Sequence, residues 1–209
     1  GVVRELRTIR AAPRGALVAV ASTVPIGAGL SSSAAIAVAA TRALSALAGR
    51  RLDAARVVDV AARAEHEQVG VRGGRMDQAI AVYGKRHAAL LYETGTGAMR
   101  QVPMAHRVWV IETGVSHRLA GGQLNRRRSE CEAALALLQG RWPALSALAA
   151  LPVSDLPAAL ELLPAELARR TRHIATETAR VFAAVEALEA GDLAGLGRLL
   201  VEGHASLRD

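Results

Sequence analysis

Between residues 24 and 35 the chain reads Val24-Pro25-Ile26-Gly27-Ala28-Gly29-Leu30-Ser31-Ser32-Ser33-Ala34-Ala35, a turn of glycines and hydroxyls that passes at once into helix-forming alanines. Gly27 and Gly29 lack a Cβ, so the backbone there can take positive φ and come close to a ligand. The helix start beyond them offers unpaired N–H groups and the positive end of a dipole to an anion. Three serines add hydroxyl donors and oxygens able to ligate a metal. For any one or two of these residues a serine-capped helix after a glycine turn would suffice. The length and order of the whole string favour a phosphate cradle made of Gly27, Ala28, Gly29, Leu30, Ser31, Ser32 and Ser33.

Two familiar phosphate loops are excluded by inspection. A Walker A loop needs Gly-Lys-Ser/Thr, and the chain's one lysine, Lys85, is followed by Arg86. The dinucleotide fingerprint G-x-G-x-x-G would need glycine at Ser32. A lysine-free phosphate loop remains.

Around this loop the pattern predicts a strand over residues 16–23, a helix over 32–48 ended near Gly49, and a second helix over 52–68 capped by Asp53. Val57, Val60, Ala61 and Ala64 give that second helix its apolar stripe. A loop over 69–75 follows, then strands over 88–92 and 108–113. From Gly122 onward helices are expected. Four prolines, Pro143, Pro152, Pro157 and Pro164, cut the region into short pieces before a long helix over 166–190. Gly191-Asp192 separates that helix from a last one.

The net charge of +7 raises the question of nucleic acid. The arginines are spread along the sequence, and with only 2% aromatic residues there is no interleaving for base stacking, so no nucleic-acid partner is expected. The core must be built mainly of Ala, Val and Leu. The single cysteine, Cys131, cannot form an internal disulfide and fits a reducing, cytoplasmic setting. The apolar stretch over 34–48 is too short to span a bilayer and is interrupted by Arg42, so no membrane association is expected.

Two carboxylates stand out from the rest. Glu65 ends the second predicted helix, twelve residues before Asp77, and could equally be an ordinary solvated glutamate. Asp77 follows Gly73-Gly74, which let backbone approach a ligand, with Arg75 near enough in sequence to support a carboxylate; a helix-capping aspartate after a glycine turn is the alternative.

The segment over 24–35 resembles the second signature motif of the GHMP small-molecule kinases. Ala64-Glu65-His66-Glu67-Gln68-Val69-Gly70-Val71-Arg72-Gly73-Gly74-Arg75-Met76-Asp77-Gln78 is similar to the galactokinase branch of that family. So are Val115-Ser116-His117-Arg118-Leu119, Asn125-Arg126-Arg127-Arg128 with Cys131, and Val201-Glu202-Gly203-His204-Ala205-Ser206-Leu207-Arg208-Asp209. Two family elements are not found in these residues, an upstream Gly-Glu-His-Asp motif and a late glycine-rich motif. The resemblance thus implies the central part of a longer protein, with Gly1 inside a strand.

The resemblance also implies an α/β (α+β) fold of two domains, a mixed ATP-binding part over 1–103 and a helix-rich part over 104–209, with nucleotide held between them. It implies ATP and Mg2+ as cofactors, with Ser33 and Glu65 as the magnesium pair. Asp77 would take or orient the proton of the galactose C1 hydroxyl as it attacks the γ-phosphorus. Gly74 matches a glycine whose backbone faces the sugar. His117 matches a family position, although a turn histidine with local hydrogen bonds serves as well. Arg126 to Arg128 could bind phosphate or simply form a solvated first helical turn. Leu124 falls where galactokinases usually carry a tyrosine whose hydroxyl contacts the sugar. Kinases of arabinose, N-acetylgalactosamine or a sugar acid, and a non-catalytic sugar and nucleotide sensor, are therefore the other readings.

Overall fold

The computed structural model describes residues 1–70, 73–111 and 120–208, with backbone alone at 68, 69, 120 and 121. The chain forms two compact units, Gly1–Leu124 and Asn125–Asp209.

The first unit is built on helices α1 (Val2–Thr8), α2 (Ser32–Leu47), α3 (Ala54–Val69) and α4 (Met76–Tyr83) and on a hairpin of β1 (Ala88–Tyr92) and β2 (Met99–Pro103). On α2 the buried residues Ala34, Ala37, Val38, Thr41, Leu44 and Ser45 recur at helical spacing and form one face. That face meets Val57 and Ala61 of α3, small and branched side chains that let two helix backbones lie close. Leu6 of α1, fully buried, closes a neighbouring cluster with Ala11, Leu44 and Val60. Asp53 caps α3 by accepting the backbone N–H of Arg56 at 2.7 Å, and Gly70, at φ +76°, ends it. The hairpin is antiparallel, running from Ala88 opposite Pro103 to Tyr92 opposite Met99.

Three strand expectations fail. Residues 2–8 are helical where Gly1 was expected to lie in a strand. Residues 16–23 carry no strand, and Leu17, Val18 and Val20 are exposed. Residues 108–111 likewise form none, while 112–113 fall outside the described residues. Val and Leu-rich sequence makes an extended segment, but a strand exists only where a neighbour takes up its N–H and C=O groups; among the described residues no neighbour does so here.

The second unit holds the rest of α5 (Ala120–Leu138), two single 3-10 turns at Leu148–Ala150 and Val153–Asp155, α6 (Leu156–Glu161), α7 (Ala165–Ala190) and α8 (Leu193–Arg208). Its core gathers Ala134, Leu138, Leu145, Leu148, Leu151, Leu156, Ala159, Leu163 and Ala175. Gly191 at φ +69° closes α7, and the Asp192 carboxylate accepts the Gly195 N–H at 2.8 Å to start α8. His173 and Ser206 link these two helices at 2.9 Å, and burial holds the His173 imidazole below its ordinary range. Burial also pushes the Cys131 thiol up, which keeps it a poor nucleophile.

Glu130 ties α5 to α7. It accepts Nε of Arg126 and Nε of Arg170, each at 2.7 Å, while Arg126 reaches Glu166 at 2.6 Å. Arg170 first, then Arg126, holds the Glu130 carboxyl below the usual carboxylate range. A carboxyl depressed in the folded state contributes stability above its unfolded value, about 4.3, and loses it as pH falls through the lower folded value. Acid titration of the chain should therefore lower Tm below about pH 4. Glu130→Gln should lower Tm at pH 7 and flatten the acid limb; equal slopes for the two proteins in that range would show that Glu130 carries none of it.

Candidate active site

The glycine-serine loop adopts the conformation its composition favours. Gly27 and Gly29 sit at φ +80° and +72°, and Ser31, in the left-handed region at φ +55°, is the N-cap of α2. The Ser31 side chain makes no capping hydrogen bond, so the first N–H groups of α2 have no side-chain acceptor in it. Gly27, Gly29, Leu30 and Ser33 are exposed, and Ala28, Ser31 and Ser32 are half-buried. The result is an open N-terminus with three hydroxyls around it.

Three helix ends meet beside this loop. Ser33, in the first turn of α2, donates its hydroxyl to Oε1 of Glu65 near the end of α3 at 2.8 Å. The other oxygen of the same carboxylate, Oε2, accepts Nε2 of Gln78 in the first turn of α4 at 2.6 Å. Glu65 is thus clamped from both sides rather than swinging free in solvent. Asp77, half-buried, precedes Gln78 in that first turn, where the helix dipole favours negative charge. The N-cap of α4 is Arg75, so Asp77 is not the capping residue.

Arg75 serves a different carboxylate from the one expected. Its guanidinium donates to Oδ1 of Asp59 on α3 at 2.6 Å, and among the described residues no ion pair joins it to Asp77. The reason is geometric: a residue two places before Asp77 at a helix start points away from it and over the neighbouring helix. Gly74 is exposed, and a Cβ there would meet nothing within 4 Å, so the space before its backbone is open. Leu124 lies on α5 with 42% of its surface exposed. His117 falls outside the described residues. Arg126 pairs with Glu130 and Glu166, and Arg128 with Glu132, as a salt-bridged helix face does.

Gln78 had drawn no role from sequence, because one glutamine beside an aspartate carries no pattern. Only the packing of α4 against α2 and α3 reveals its partner. Among the described residues no three His, Cys, Asp or Glu side chains gather into an all-protein metal cage, and no helix is long and apolar enough to cross a membrane.

Residues 1–85 match the GHMP kinases N terminal domain. The chain is 44% identical to the galactokinase of Chloroflexus aurantiacus over 198 residues, covering 94% of this chain and 51% of that protein. It is 40% identical to the galactokinase of Streptomyces coelicolor over 216 residues, covering 100% of this chain and 54% of the relative. Against a crystal structure of Lactococcus lactis galactokinase complexed with galactose the TM-score is 0.85 at 26% identity, over 100% of this chain and 55% of that one. The chain spans about half the length of the relatives it matches. Its residues 1–85 are thus similar to the GHMP kinases N terminal domain, and nearly its whole length is similar to about half of these galactokinases.

Proposed function

We propose that this chain is part of an ATP-dependent sugar kinase that phosphorylates the anomeric C1 hydroxyl of galactose. The observation that carries the reading is the junction of the phosphate-type loop at α2 with the clamped Glu65 and with Asp77. Similarity to galactokinases over nearly all of the chain supports the choice of sugar. The family domains would run over 1–103 and 104–209.

Phosphoryl transfer asks a protein for position and charge more than for covalent chemistry. Residues 27–33 would hold the ATP phosphates through the backbone N–H groups of α2 and the serine hydroxyls. The donor set of Ser33 and Glu65 is hard oxygen, one hydroxyl and one carboxylate on adjacent helices, which fits Mg2+ completed by phosphate and water oxygens. That cation would supply charge neutralisation across the phosphates. Asp77 would accept or orient the C1 hydroxyl proton, and the open backbone at Gly74 would face the sugar.

The test is a chimera in which this chain replaces the matching half of the Chloroflexus aurantiacus galactokinase. Galactose-dependent ADP release by the chimera is the expected result. Binding of galactose and ATP without turnover would instead support the sensor reading.

Leu124 bears on which sugar is preferred. A leucine cannot donate the hydrogen bond of the tyrosine usual in galactokinases, and sites that pair a substrate hydroxyl discriminate through such bonds. Leu124→Tyr in the chimera should raise kcat/KM for galactose relative to arabinose or N-acetylgalactosamine by roughly tenfold, the worth of one such bond. An unchanged ranking across the three sugars would place Leu124 outside the pocket.

A further inference from the structure

Gln78 is 2% exposed, and its two amide ends are treated differently. Nε2 donates to Oε2 of Glu65 at 2.6 Å, whereas Oε1 is buried and has no hydrogen-bond partner among the described residues. A carboxylate accepts and does not donate, so the amide can meet Glu65 only through its NH2 group. Turning the amide over would set carbonyl oxygen against carboxylate oxygen. Glu65 therefore fixes the amide, and the amide in turn fixes Glu65. The arrangement leaves a buried acceptor unsatisfied, a cost that folded proteins seldom carry without a reason.

We propose that Gln78 is a positioning residue for Glu65: it holds the carboxylate in the rotamer that keeps Oε1 beside Ser33, and so presents both oxygen ligands together to a divalent cation. The role rests on the kinase reading given above, and it concerns the metal pair rather than the sugar. Gln78 does not reach the ligand itself. Glu65 has Ser33 on one oxygen and Gln78 on the other, so removing the amide leaves it anchored at one end and free to rotate about its last torsion. Partners that orient metal ligands in this way commonly control metal affinity by a factor of 10 to 100. The placement of Gln78 directly after Asp77 puts the acid–base candidate and the metal-pair support on consecutive residues of one helical turn. One packing event, α4 against α2 and α3, would set both.

The experiment uses Mn2+ as the probe, titrated by electron paramagnetic resonance into the 209-residue chain with ADP present, alongside thermal melts. Gln78→Met keeps the side-chain length and apolar body but removes the donor. It should weaken Mn2+ binding about tenfold or more with little change in Tm. In a Glu65→Ala background the same substitution should cause no further loss, because its effect passes through Glu65. Should Gln78→Met unfold the chain, Gln78→Asn, which keeps an amide too short to reach, should give the same affinity loss. Unchanged Mn2+ affinity in a folded Gln78 variant, or an equal loss with Glu65 already removed, overturns the proposal while leaving the kinase reading intact. Absence of Mn2+ binding by the unaltered chain with ADP overturns the metal-site reading, and this role with it.

Discussion

Asp77→Asn in the chimera is expected to lower kcat by about a hundredfold or more while nucleotide binding survives. Asparagine keeps the size of the side chain and its place in the first turn of α4, so the packing of that helix is preserved. What it loses is the charge and the ability to take a proton. Loss of positioned acid–base assistance usually costs two to four powers of ten, so a large fall in kcat with KM for ATP held is the signature sought. Equilibrium binding of a fluorescent ATP analogue and single-turnover rates would separate the two effects. Turnover near that of the unaltered chimera would remove Asp77 from the chemistry and leave it as a helix-start carboxylate.

Glu65→Ala should act in a different currency, the concentration of magnesium needed for half-maximal rate. Removing the carboxylate would take away the charged member of the proposed Ser33–Glu65 ligand pair, and it strips Ser33 and Gln78 of their shared acceptor. The magnesium requirement should rise at least tenfold, as expected when a hard-oxygen site loses its charged ligand. The buried Nε2 of Gln78 would also be orphaned, a penalty of about 1–3 kcal/mol that should appear as a lower Tm. Ser33→Ala, which removes the neutral and exposed member of the proposed pair, should shift the magnesium requirement less. Superimposable magnesium titrations for both variants and the parent would dismiss the pair.

The local features of this chain were legible in its sequence wherever the signal was itself local. The glycine-serine turn, the Asp53 cap, the apolar stripe of α3 and the Gly191-Asp192 break each rest on residues within one or two turns of one another. The structure places α2, α3 and α7 close to the expected spans, and a last helix, α8, follows the Gly191-Asp192 break. The strand expected over 16–23, and the described part, 108–111, of the one expected over 108–113, are absent because sheet structure depends on a partner that no window of sequence contains. Helix α4 and strand β2 went unread for the opposite reason. Each is short, and Met99–Pro103 mixes Arg, Gln and Pro with two apolar residues, which gives no alternation to detect. In the site, the loop could be read because phosphate binding leaves a contiguous string of glycine and serine. The Ser33 and Glu65 pairing could be anticipated only through family resemblance, since 32 residues separate them. The partners of Arg75 and Gln78 arise from helix packing and left no mark in the sequence.

The scarcity of aromatic side chains has a practical side. The chain holds two tryptophans, one in each compact unit. Trp109 is 82% exposed, so its indole already sits in a nearly aqueous environment. Trp142 packs against the Leu138, Leu145 and Leu148 core with the Arg141 guanidinium 5.5 Å from its ring centre. A change in tryptophan emission colour as the chain melts is thus mainly a signal from the helical half, because Trp109 emits from near-aqueous surroundings before and after melting. Denaturation followed by the tryptophan emission maximum therefore reads mainly the stability of the unit that carries Glu130, while the fate of the Ser33, Glu65 and Gln78 junction is better followed by another probe.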